Sequence, residues 1–194
     1  NSVVLKDKAV LATCDSYDAE TFTMTVSDNA LVSHFDISCS TGELNVSKNA
    51  QVTGTVAVTS KMYLNASNSA QVSLTQNGGN AFVSQANSAY VDYKATLNTL
   101  EVESAGGSES HISGTASLLK VTGAGLSRVD AELLESKDGD VVLSGSAKCH
   151  VNVTEHLKVN LVGGSMLTFK RNPVFEIDRI VNSTLIKADD AKRK

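Results

Sequence analysis

The sequence predicts an all-β protein: a single-stranded right-handed parallel β-helix, or solenoid, of about nine coils. Three observations carry that expectation. A short phrase recurs about every twenty residues, two columns of matched residues keep the same period, and the stretches between them alternate with period two. The phrase reads DNALVSH at 28–34, KNAQVTG at 48–54, NSAQVSL at 68–74 and NSAYVDY at 87–93.

Aligned on its apolar residue, the phrase continues through Val32, Val52, Val72, Val91, Ile112, Val129, Cys149, Leu167 and Leu185. Two positions before each stand Ala30, Ala50, Ala70, Ala89, Ser110, Ser127, Ala147, Ser165 and Ser183, all of them Ala or Ser. Eight positions before lie Met24, Leu44, Leu64, Val83, Ser104, Val121, Val141, Val159 and Ile177. Ser104 is the one member that is not apolar, and a two-residue slip in that coil would put Val102 in its place. A repeat this short is too small for a helix pair or a propeller blade but fits one coil of a β-helix. Stacked coils explain the small column as the place where the chain turns into a narrow interior. The Val, Ile and Leu column fills the wider core, where β-branched residues favour extended backbone. Nine coils would rise roughly 43 Å at about 4.8 Å each. Right-handed winding follows from the strong bias of parallel crossovers.

The elements follow in order. Residues 1–20 show no repeat and are expected to cap the start. Residues 21–187 form the β-helix, with period-two strands at TFTMTVS (21–27), ELNVS (43–47), KMYLN (61–65), LKVT (119–122) and HLKVNLV (156–162). Residues 188–194 are a charged tail expected to fray. Between the two columns Gln51, Gln71, Tyr90, His111, Arg128 and Lys148 are expected to point outward, where no packing rule binds them. Asn and Ser side chains are expected to stack from coil to coil. The ends of a solenoid are open, so self-association through them is a further expectation.

Composition narrows the function classes. Aromatic residues are 5% of the chain, with no Trp and one Pro, so the core must come from many aliphatic contacts. The formal net charge of −4 lacks the basic footprint of a nucleic-acid binder. No apolar run is long enough for a membrane-spanning helix. The chain opens on Asn1 rather than Met, so a leader is expected to have been removed. Cys14, Cys39 and Cys149 are odd in number and form no CxxC, which argues against a disulfide framework or zinc ribbon. A Cys14–Cys39 pair stays open.

No catalytic, metal-binding or cofactor-binding constellation emerges, so the expected site residues are none and the binding residues unknown. Gly123-Ala124-Gly125 lacks the third glycine of a nucleotide loop and reads as a turn. His34, His111, His150 and His156 have no metal-ligand spacing. Cys149 and His150 are adjacent, so on a strand they face opposite ways and cannot act as nucleophile and base; Cys149 reads as a buried thiol. Asp92, Glu101, Glu103, Asp138 and Asp140 are scattered. Asp130, Glu132 and Glu135 could share one outward area, with a solvated face as the expectation, and Asp189-Asp190 fall in the tail. TFTMTV carries Thr-x-Thr-x-Thr but does not recur on later coils. Sequons at Asn45, Asn65, Asn152 and Asn182 are expected by chance in a chain so rich in Asn and Ser.

One stretch carries a family resemblance. LSGSAKCHVNVTEHLKVNLVGGSMLTFKRNPVFEIDRIVNSTLIK (143–187) resembles the head GIN domain of auto-transporter adhesins, a group of bacterial surface or secreted β-helical domains frequent in Bacteroides-like organisms. Gly145-Ser146-Ala147, Gly163-Gly164-Ser165, Asn172-Pro173 and Val181-Asn182-Ser183 take the places of that family's Gly-Ser-Gly and Asn-Pro turns. The repeat carries the likeness more weakly back to about Met24. The Gly-Ser-Gly turns are here reduced to Ala or Ser forms, and residues 1–20 do not match the family's usual opening. The resemblance implies the fold and an extracytoplasmic location; it transfers no catalytic residue.

The expected function is therefore a non-enzymatic cell-surface or periplasmic binding module that meets a glycan or protein with the flank of the solenoid. The alternatives are a carbohydrate-active β-helix enzyme and a self-assembling structural β-helix. Converging carboxylates in a groove would favour the enzyme, and stacking through the ends would favour the filament.

Overall fold

The structure, a computed structural model, describes residues 1–188, with side chains described for all of these except 13–15. Residues 189–194, and with them the Asp189-Asp190 pair, lie outside the described residues, as does the side chain of Cys14.

Alternating apolar and polar residues make strands, and short positive-φ turns fold them into windings. The strands are β1 (Ser2–Leu5), β2 (Val10–Val26), β3 (Leu31–Ser47), β4 (Gln51–Ser67), β5 (Gln71–Asn77), β6 (Asn80–Ala86) and β7 (Tyr90–Ser104), followed by β8 (Glu109–Gly123), β9 (Arg128–Leu143), β10 (Lys148–Val162), β11 (Met166–Lys170), β12 (Val174–Val181) and β13 (Thr184–Lys187). All pair in parallel in one continuous sheet that winds upon itself. This is the parallel β-solenoid the repeat implies.

The recurring phrase is the corner of each winding. Asp28 and Asn29, Lys48 and Asn49, Asn68 and Ser69, and Asn87 and Ser88 all take positive φ. The amide of Ala30 donates back to the carbonyl of Ser27 at 3.2 Å. Two successive left-handed residues closed by such a bond make a type I′ turn, which Asn and Asp tolerate best among residues with a side chain. In later windings one glycine does the work: Gly106, Gly125 and Gly145 have φ of 72°, 72° and 69°. Asparagines stack across windings as expected: Asn65 Nδ2 donates to Asn45 Oδ1 at 2.8 Å and Asn87 Nδ2 to Asn68 Oδ1 at 3.2 Å.

The columns form, with one correction. Leu11, Val32, Val52, Val72, Val91, Ser110, Val129, Cys149, Leu167 and Leu185 stack in register. Ser110, not Ile112, is the rung above Val91; Ile112 stacks on Tyr93. The small position of that winding accordingly falls to buried Ser108 rather than Ser110. Val102 pairs with Val83 and Val121 in the third column, so the two-residue slip is real. A second correction concerns residues 1–20. They do carry the repeat: Val3 pairs with Met24 and Leu11 with Val32. The column therefore has ten rungs where the sequence shows nine.

The interior is a file of buried aliphatic side chains with Phe35 and Tyr93 among the largest. Polar groups enter midway. Tyr93 Oη donates to Gln76 Oε1, and Gln85 Nε2 donates to Ser104 Oγ at 3.3 Å. At the far end the last winding is thinly covered: Val174 is 66% exposed and Ile177 54%.

Candidate functional site

Parallel in-register stacking turns any outward position into a column of side chains about 4.8 Å apart. Two neighbouring outward columns on one flank carry the most chemistry. The first runs Gln51, Gln71, Tyr90, Glu109, Arg128, Lys148; the second runs Thr53, Ser73, Asp92, His111, Asp130, His150. Because the pairing fixes each backbone, the side chains stand side by side on a stiff support. The flank begins with amides and hydroxyls and ends in charged groups and imidazoles.

At its centre the ring of Tyr90 is 40% exposed. It packs against the His111 ring with centroids 5.6 Å apart at 41°. Its phenol is held above its ordinary range, first by burial and then by the carboxylates of Asp92 and Glu109. It is therefore a neutral hydrogen-bonding hydroxyl at physiological pH. Tyr90, Asp92, Gln51, Gln71, Thr53 and Ser73 line a shallow depression of about 150 Å³. An exposed aromatic face beside amide, hydroxyl and carboxylate groups can stack on and hydrogen-bond a hydroxyl-rich ligand. On another flank Tyr63 and Phe82 stack with centroids 6.4 Å apart, and the Lys61 ammonium lies 4.8 Å from the Tyr63 centroid.

The remaining candidates fall as follows. His34 is exposed. His111 Nε2 lies 3.3 Å from Glu109 Oε1, and His156 Nδ1 2.9 Å from Asp138 Oδ1. Cys149 is buried and His150 points outward, as adjacent strand positions require, and burial pushes the Cys149 thiol up. Cys39 is a free buried thiol. Gly123-Ala124-Gly125 is a corner, with Ala124 N bonded to Ser104 O at 2.9 Å. Thr23 stacks between Ser2 and Glu43 and Thr25 between Val4 and Asn45, while Thr21 meets one threonine, Thr41, before Lys61 ends the run. Asn152 accepts from Arg171 Nε at 3.3 Å, and Asn182 sits in a positive-φ turn.

Asp130 and Glu132 do come together, joined by His150: their ligating atoms all lie within 4.8 Å of one another. Glu135 stands apart, 3.2 Å from Arg171 Nη2. Asp138, Glu155 and His156 form a second, more exposed trio. The sequence reading missed both, because His150 lies twenty and eighteen residues from Asp130 and Glu132, and His156 eighteen from Asp138, so each trio closes only across windings. The slip around Val102 was the signal that would have placed His111 and Asp130 in one column.

No helix among the described residues is long and apolar enough to cross a membrane. No curated protein and no solved structure matches the chain. A family model does match, over residues 7–173, and its span starts within the first winding, where the structure finds the repeat and the motif likeness of residues 143–187 did not reach. The family model covers β2 to β11 and leaves β1, β12 and β13 outside its span, and the chain belongs to the family described as "Putative auto-transporter adhesin, head GIN domain".

Proposed function

We propose that this chain is a non-enzymatic binding module of the cell surface, the periplasm or the secreted space, which takes a hydroxyl-rich glycan on the flank centred on Tyr90. The observation that carries this reading is the depression lined by Tyr90, Asp92, Gln51, Gln71, Thr53 and Ser73. It offers one ring face for a sugar and a ring of fixed donors and acceptors for its hydroxyls. The family's adhesin description supports a binding role. The enzymatic alternative draws less support. Two carboxylate pairs converge, and each is tied to a basic group: Glu132 is 2.5 Å from the Lys170 ammonium with Asp130 facing His150, and Asp138, beside Glu155, is 2.9 Å from His156 Nδ1, an arrangement unlike the free acid and base of a glycosidase.

A glycan array with the purified protein tests the reading. Binding to one glycan class without product release, lost at least tenfold in Tyr90→Ala with the fold intact, is the expected result. Release of shortened product, or binding that ignores Tyr90→Ala, refutes it. A second reading rests on the last winding, where Val174, Ile177, Ile180 and Val181 are exposed on β12: end-to-end association of copies, which sedimentation velocity over a concentration series would show as growing species.

A further inference from the structure

Independently of the glycan reading, we propose that Asp130, Glu132 and His150 form a binding site for a divalent transition cation of the zinc class. The backbone builds the trio. Asp130 and His150 are partners in register on β9 and β10, so their outward side chains lie side by side, with Asp130 Oδ1 3.9 Å from His150 Nδ1. On a regular strand Glu132 would face outward like Asp130 but stand about 7 Å further along the strand. Here β9 bulges: Ala131 pairs with Val151 and the next pair is Glu135 with Asn152. Against β8 the bulge is a single residue, with Asp130 opposite His111 and Leu133 opposite Ser113, and Glu132 N donates to Asp130 Oδ1 at 3.2 Å. All three side chains are half-buried, so less ordering is left for the cation to impose than at a mobile surface cluster.

The donor chemistry selects the cation. One imidazole nitrogen and two carboxylate oxygens, with positions left for water, suit zinc-like ions, whose bonds to N and O are about 2.0–2.2 Å. Closing on such an ion needs donor separations of about 3.4 Å, a contraction that side-chain rotation covers. Calcium prefers six to eight oxygens and has no use for the imidazole. The cluster already draws a positive group: the Lys170 ammonium stands 2.5 Å from Glu132 Oε1. Lys170 is therefore a built-in competitor that an entering cation must displace.

That competition decides the test. Zinc alone is titrated into tag-free protein by calorimetry, with thermal melting as a second readout and far-UV circular dichroism as the check on folding. The expected result is a zinc site weakened at least tenfold in His150→Ala and Glu132→Gln and unchanged in His156→Ala, which disables the second trio. In Lys170→Met zinc binds about two- to five-fold tighter, the range an exposed ion pair is worth. Calcium at the same concentration leaves the melting curve where it was. The proposal is overturned if zinc binds neither the parent nor Lys170→Met, if binding is lost in His156→Ala instead, or if calcium serves as well as zinc.

Discussion

A single backbone angle shows how closely one residue can be tied to its winding. Gly114 has φ of 110°, and a Cβ placed on it would lie 1.9 Å from the carbonyl oxygen of Ala95 on the winding before. Both atoms belong to paired backbone, so neither can rotate away. Gly114→Ala is expected to destabilise the fold by roughly 2 kcal/mol or more, read as a lower urea midpoint. An unchanged midpoint would mean that the ladder there slides more easily than its pairing implies. At this scale the sequence was legible where chemistry forces a choice. The Ala and Ser column could be read because only small side chains fit the corner. Ser110 could not, because apolar Ile112 two residues on is the more attractive rung, and only register shows that Ser110 stands between Val91 and Val129. The polar interior of Tyr93, Gln76 and Gln85 escaped for the same reason: a buried polar group is allowed once it finds a partner, and the partner lies a winding away.

Among the elements, β12 is the least secured. It pairs only with β10, with a register shift after Val159, and its apolar side chains remain largely exposed. A charged clasp ties its outer edge: Lys158 Nζ lies 2.8 Å from Glu176 Oε1 and 3.3 Å from Asp178 Oδ2. The hydrogen bonds to Glu176 and then Asp178 raise the Lys158 ammonium above its ordinary value. A raised folded value for a base means that the stabilisation is complete below the unfolded pKa and disappears as pH rises through the folded one. Lys158→Met should therefore hasten amide exchange across 174–181 at neutral pH and leave exchange in β4 untouched. In the parent, as pH is raised from neutral, the same segment should loosen only once the solution is strongly alkaline. Equal exchange in parent and variant would show that the clasp does not hold the strand. Strands with clean alternation, such as 61–65 and 156–162, were legible in the sequence. β1 and the start of β2 were not, because an end winding packs on one side only and loses the buried column that makes the pattern visible.

In the whole molecule each winding packs mainly on its neighbours, with Lys170 and Arg171 reaching two windings back to Glu132 and Glu135, so stability is close to a sum of local terms and interfaces. Position along the axis then decides what a core truncation costs. Leu100 is fully buried with windings on either side, while Leu185 is half-buried on β13, which pairs with β11 alone. Leu100→Ala removes contacts with two neighbouring windings and leaves a cavity closed on both sides, for an expected loss of about 2–5 kcal/mol. It also weakens the link between the halves, so denaturant unfolding should broaden or split into two transitions. Leu185→Ala opens toward solvent and should cost about 1 kcal/mol or less, with a single transition kept. Comparable losses at both positions would mean that the solenoid unfolds as one indivisible unit. That distinction bears on the binding flank. Gln51 to Tyr90 and Asp130 to His150 lie in different windings, so a molecule that melts from one end could lose the cation trio while keeping the aromatic depression. Zinc would then raise only the transition of the later windings, and a glycan held at Tyr90 only that of the earlier ones. Following both ligands through the split unfolding of Leu100→Ala assigns each site to its half of the solenoid, and a ligand that shifts both transitions equally would refute that assignment.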